Sequence, residues 1–134
     1  MVSGTLLRVA TEIEIASLQN LLEQDTNNSI RAVRNGSEVL GETVLAILHG
    51  GKYAGFCTFR AGGNEIFPLV VFGPFRGIGV GFSAMQQLIG MLRKDGIRDV
   101  SIEVLPGAEA FWKKVFAGFP ETAHFGGKNF TYAI

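Results

Sequence analysis

Three glycines at alternate positions, Gly77, Gly79 and Gly81, follow Arg76 in the run Gly-Pro-Phe-Arg-Gly-Ile-Gly-Val-Gly at 73–81. Before the run stands an apolar stretch, 66–72, with the residue types of a strand; after it, 80–94 has the periodicity of an amphipathic helix. Glycines in that setting leave consecutive backbone N–H groups without side chains in front of them. The first turn of a helix carries unpaired donors and a partial positive charge, so such a loop binds anions. Arg76 adds a guanidinium at its rim. The chemistry these residues point to is a phosphate cradle. The segment 79–84 also satisfies G-x-G-x-x-A, with Glu103 roughly twenty residues on, which is a dinucleotide-binding spacing. That reading needs the glycines directly after the strand and several further parallel strands, and the chain has neither.

The elements that must position this loop follow in order. Residues 6–10 form a short apolar segment suited to a first strand. Thr11 and Glu14 have the spacing of a capping box, and Ile15, Leu18, Leu21 and Leu22 recur at helical spacing behind it. After a polar break, 29–34 reads as one or two further helical turns ending at Asn35-Gly36. From Gly41 the period changes to that of strands. The runs 42–48, 53–60 and 65–72 are joined by turns containing Gly50-Gly51 and Gly62-Gly63, which predicts three successive antiparallel strands. Pro68 inside the third implies a bulge or a locally unpaired edge. The helix after the loop places Phe82, Met85, Ile89 and Leu92 on one face, with Leu88 and Met91 beside them. Gly90 inside it costs about 1 kcal/mol relative to alanine, which implies a close approach to the sheet. Residues 100–105 form a buried strand, so strand–helix–strand requires a right-handed parallel crossover. A second helix at 108–117 carries Phe111, Trp112, Val115 and Phe116, and 121–134 reads as a closing hairpin.

Composition bounds the function classes. The 134 residues suffice for one domain, 1–134, with 47% apolar and 18% charged residues. Twelve basic and twelve acidic residues cancel, and no basic stripe suggests nucleic acid. A single cysteine, Cys57, and two distant histidines do not assemble a metal site, and a reducing compartment fits best. No apolar run approaches the ~20 residues that span a bilayer, and the first residues lack the regions of a signal peptide. The expectation is a cytoplasmic protein without nucleic-acid or membrane partners.

The order of elements, with Arg76-Gly77-Ile78-Gly79-Val80-Gly81 after the strand, resembles the GNAT superfamily of acyl-coenzyme-A N-acyltransferases. The loop is similar to that family's [Arg/Gln]-x-x-Gly-x-[Gly/Ala] pyrophosphate motif. Ala110-Phe111-Trp112-Lys113-Lys114, then Gly118-Phe119, is similar to its Ala-x-x-[Phe/Leu]-Tyr-x-Lys-x-Gly-Phe segment, with about two extra residues before the glycine. The resemblance implies an α/β (α+β) fold: a mixed, mostly antiparallel sheet of six to seven strands, about four flanking helices, and one parallel strand pair splayed at the cofactor site. It implies acetyl-coenzyme A as cofactor, held by Val70, Val71 and Phe72 on the strand, by Arg76, Gly77, Ile78, Gly79, Val80 and Gly81 in the loop, and by Phe111 and Trp112 on the later helix. The implied reaction is acetyl transfer to the amine of a small molecule or peptide, whose site would be shaped by 25–37 and 119–128. Homodimerisation through strands or sheets comes with the same resemblance.

Candidate catalytic groups are Glu65 and Glu103, either of which could take the amine proton through water, and Tyr132 as a proton donor to the leaving thiolate. Tyr53, His124 and Cys57 are further options for that donor. Trp112 stands where the family has its tyrosine and brings no acidic proton. That departure leaves a second function open, a binding module of the same fold without turnover.

Overall fold

The computed structural model describes residues 4–26, 29–34 and 41–134. Seven strands form one sheet: β1 (Thr5–Val9), β2 (Glu42–His49), β3 (Lys52–Arg60), β4 (Glu65–Val71), β5 (Asp99–Glu103), β6 (Glu121–Phe125) and β7 (Asn129–Ala133). Their spatial order is β1-β2-β3-β4-β5-β7-β6, and every neighbouring pair is antiparallel except β4 and β5. Three α-helices are present among the described residues, α1 (Glu12–Gln24), α2 (Val80–Lys94) and α3 (Glu109–Val115), with a short 3-10 turn at Gly73–Phe75. This is the mixed sheet with one parallel pair that the sequence predicts. Residues 29–34 are not helical, and 35–36 lie outside the described residues.

Strands β2 and β3 are almost wholly apolar because both of their faces are covered, which is why they read as runs rather than alternations. Leu45 and Ile47 belong to one core with Met85, Leu88, Ile89 and Leu92 of α2, and with Trp112 and Phe116. Val44 and Ala46 point the other way, into a second core with Leu18 and Leu22 of α1. The capping box at the start of α1 forms as read: the Glu14 amide donates to Thr11 Oγ1 (3.2 Å), and Glu14 Oε1 accepts from the Thr11 amide (3.0 Å).

Two local features prepare the site. Pairing between β3 and β4 passes from Cys57–Leu69 to Phe59–Ile66, so Phe67 and Pro68 together oppose Thr58. This is the bulge that a proline without an N–H demands. Immediately beyond it, β4 and β5 part. They pair only at Glu65–Ser101 and Ile66–Ile102, whereas β5 stays paired with β7 from Asp99 to Glu103. The close approach expected at Gly90 occurs instead at Gly81. A side chain at Gly90 would meet nothing within 4 Å, but a Cβ at Gly81 would lie 3.2 Å from Val71 Cγ2 and 3.3 Å from Phe111 Cε1. The first turn of α2, not its middle, is what presses on β4 and α3.

Glu14 also ties α1 to the sheet. Its carboxylate accepts from Arg8 (2.6 Å) and from the Tyr53 hydroxyl (3.0 Å). The Arg8 hydrogen bond, then the Thr11 amide, hold its pKa down to about 2 against the opposing cost of burial. A carboxyl whose folded pKa is depressed contributes stability above its unfolded value, and that contribution disappears as pH falls from about 4.5 to about 2. Glu14→Gln is therefore expected to lower the melting temperature at neutral pH and to flatten its dependence on pH across that acid window. Parallel melting curves for the variant and the parent protein across the window would contradict this.

Candidate active site

The site begins where the glycine run leaves β4. Gly77 and Gly79 take φ of +78° and +87°, a conformation that side chains disfavour, and Gly79 is the N-cap of α2. The amides of Phe75 and Arg76 are used within the 3-10 turn, donating to Phe72 O and Gly73 O. The next amides, from Gly77 to Phe82, donate to no acceptor among the described residues, and helical bonding starts with Ser83 N to Gly79 O (3.0 Å). Six consecutive residues thus present unused donors at the start of a helix, with no acidic residue in the first turn.

These donors face a cavity of about 380 Å³ lined by Val71, Phe75, the loop glycines, Phe111 and Lys114. It adjoins a trough of about 690 Å³ between the separated ends of β4 and β5, whose walls include Leu69, Val70, Val71, Leu105, Ala108 and Phe111, with Ser29 and Ile30 across from them. At the vertex of the split a third space, about 100 Å³, is enclosed by Ile66, Phe67, Leu69, Glu103, Leu105 and Trp112 among others. Phe111 borders all three spaces, which lie side by side between the loop amides and the point where the strands meet and together make up the cleft. Gly81 is what lets Phe111 and Val71 close on each other along it.

The residues singled out from sequence distribute unevenly over this cleft. Val70, Val71, Arg76, Gly77, Gly79, Val80, Gly81 and Phe111 line it. Ile78 is half exposed and lies outside the lining, and Phe72 is buried beside Phe56 with its amide on Ala54 O. Trp112 is buried between the vertex and a separate cavity on the β7 side. Glu103 lines the vertex and is half-buried. Glu65 is at the other end of β4 and pairs with Arg60 (3.2 Å), which also holds Glu42 (3.3 Å). Tyr132 stacks on Phe116 with ring centroids 4.2 Å apart, and burial, then the charge of Glu121, push its hydroxyl pKa up. It faces the separate cavity, not the vertex. Cys57 is fully buried, with its thiol pushed up to about 12, and Tyr53 and His124 are engaged with Glu14 and Glu121.

Arg76 reaches back rather than out. Its Nε donates to Val71 O (2.7 Å) and its Nη2 pairs with Asp25 Oδ2 (2.5 Å), joining the end of α1 to the end of β4. The sequence holds no sign of that pair, which spans fifty-one positions. Lys114 was equally missed as a lining residue, although it lies one helical turn after Phe111 and so on the same face. Among the described residues no group of three or more metal-ligating side chains gathers, and no helix is long and apolar enough to cross a membrane.

Comparisons with known proteins agree with this geometry. Residues 12–119 match the sequence model of the acetyltransferase (GNAT) family. No curated protein matches the chain. Among solved structures, an acetyltransferase from Thermus thermophilus superposes with a TM-score of 0.71 at 17% identity, covering 99% of this chain and 97% of its own. A ribosomal-protein N-acetyltransferase from Escherichia coli gives 0.66 at 15% identity, covering 97% and 92%. The PaiA N-acetyltransferase of Thermoplasma acidophilum, in complex with coenzyme A, gives 0.66 at 10% identity, covering 96% and 97%. Likenesses at these identities establish the shared fold, and the family match over most of the chain establishes descent. The split sheet, the open glycine loop and the match together make this chain a member of the acetyltransferase (GNAT) family, an enzyme of the acyltransferase class.

Proposed function

We propose that the enzyme transfers an acetyl group from acetyl-coenzyme A to the amine of a small molecule or peptide. The observation that carries this reading is the run of unused amides from Gly77 to Phe82 opening into the split between β4 and β5. The residues present fit the cofactor. The amides suit a diphosphate, and the walls from Val70 to Phe111 suit a flexible, mostly apolar arm. When bound there, acetyl-coenzyme A supplies an activated acyl group as a thioester.

The chain's own contribution is placement and proton management. Leu69, Val70 and Val71 line the trough along the edge that β5 has vacated, where an extended ligand would lie beside the strand, with the Val71 carbonyl already taken by Arg76. An alkyl ammonium near pKa ~10.4 is not a nucleophile until it loses a proton. Glu103 is the carboxylate at the vertex and is placed to take that proton, directly or through one water. Leu69, Leu105 and Trp112 wall the same space and limit water there. Glu65, paired with Arg60, and Tyr132, on the far side of Trp112, have no part in this mechanism. Ser29 and Ile30 line the trough on the side of α1, and an acceptor would bind beside them.

One observation favours a second reading, a coenzyme-binding module without turnover: Trp112 fills the family's tyrosine position and offers no acidic proton. The two readings separate in a pair of measurements. Coenzyme A and acetyl-coenzyme A should each raise the melting temperature, and thiol release with an amine panel should exceed background. A melting shift without thiol release supports the module, and no melting shift removes both readings.

Two variants test the assignments within the cleft. Ile78→Glu places a negative charge beside the open amides without altering a glycine, and is expected to weaken coenzyme A binding by about tenfold or more while leaving the melting temperature near that of the parent. Unchanged affinity would contradict the loop assignment. Glu103→Gln should lower kcat by roughly 10²-fold with little change in the affinity for acetyl-coenzyme A, measured by steady-state rates and by calorimetry. An undiminished kcat would assign the proton transfer to another group.

A further inference from the structure

The positive charge around the loop cavity is divided between two side chains in an unexpected way. Arg76 has the sequence position of a phosphate ligand, yet its guanidinium is committed to Val71 O and to Asp25, whose side chain is only 11% exposed. Turning Arg76 outward would leave that mostly buried carboxylate without its guanidinium and release a strand carbonyl, both of which cost free energy. Lys114 is different. Its ammonium lies 4.8 Å from the centroid of Phe82, no carboxylate among the described residues pairs with it, and it borders the same cavity as the unused amides.

That position is unfavourable for a cation on its own. Phe82 is in the first turn of α2, where the helix carries partial positive charge, and no acidic residue occupies that turn. The ring contact offsets only part of that repulsion. The ammonium, the helix start and the amides of the loop glycines border one space, and an anion placed there would be attracted by all three.

Resting on the reading of the cleft given above, we infer that Lys114 supplies the full positive charge that meets the cofactor's diphosphate, while Arg76 serves as a strut between α1 and β4. The charge of Lys114 adds to the amides because both face one cavity from opposite walls, α3 and the start of α2. The Lys114 ammonium lies over the Phe82 ring at the start of α2.

The test compares coenzyme A, dephospho-coenzyme A and pantetheine by calorimetry on the whole protein. Lys114→Met keeps the apolar stem and removes the charge. It is expected to raise Kd for coenzyme A and dephospho-coenzyme A alike by about tenfold, to leave pantetheine unaffected, and to make binding less sensitive to salt. Lys114→Arg should restore affinity. An equal loss for all three ligands would mean a packing role, and a loss for coenzyme A alone would move the contact to the other phosphate; either overturns the inference. No change for any ligand overturns it as well. If the parent protein binds none of the three, the reading of the cleft itself falls, and this assignment with it.

Discussion

The separation of β4 from β5 is the constraint on which the rest depends. A parallel pair that joins only at Glu65–Ser101 and Ile66–Ile102 leaves the facing edges of the later residues without each other as partners, while β4 stays paired with β3 and β5 with β7. Unpaired backbone groups away from water are costly, so a fold keeps such a gap only where something else satisfies them. Here the Phe67–Pro68 bulge turns β4 just past the last paired residue, and β7 holds β5 away from it over five residues. Arg76 takes one of the freed carbonyls, that of Val71. The remaining edge faces the trough.

The electrostatics follow the same division between support and function. The chain is neutral overall, so attraction for an anion has to be generated locally. Backbone dipoles at the start of α2 and a lysine from α3 achieve this within one cavity, while the arginine in the loop is spent on holding α1 in place. At the other end of the cleft the charge changes sign. Glu103 is the ionisable group at the vertex, next to the apolar walls of Leu69 and Leu105. Trp112 closes that end by packing against Phe111 and Phe116, a structural solution that replaces a hydroxyl with bulk.

What was legible in the sequence was local. The capping box of Thr11 and Glu14, the glycine hairpins, the bulge at Pro68 and the loop before α2 each announce themselves through residues a few positions apart. The fold class followed from the family resemblance that their order and the glycine loop carry, whereas the order alone required one right-handed parallel crossover. What was not legible depended on distance in space. Helical periodicity identified the buried face of α2 but could not say that Gly81, not Gly90, lies against another element. Polar spacing at 29–34 suggested helical turns, but those residues have no neighbouring apolar stripe to bury, and Ile30 and Val33 pack instead onto the end of the α1 core. Glu65 and Glu103 were equivalent as strand glutamates until Arg60 claimed one and the cleft received the other. The Asp25–Arg76 pair joined segments for which no spacing rule exists, whereas the cavity side of Lys114 could have been read from its helical spacing to Phe111.

The most direct measurement is the amide NMR spectrum of the protein during titration with coenzyme A. The account predicts that the resonances of Gly77 through Phe82 shift together, downfield as their N–H groups gain charged acceptors, and that pantetheine, which lacks the phosphates, leaves them in place while moving residues along β4. A titration in which coenzyme A binds but those amides stay fixed, with the changes concentrated elsewhere on the sheet, would contradict it.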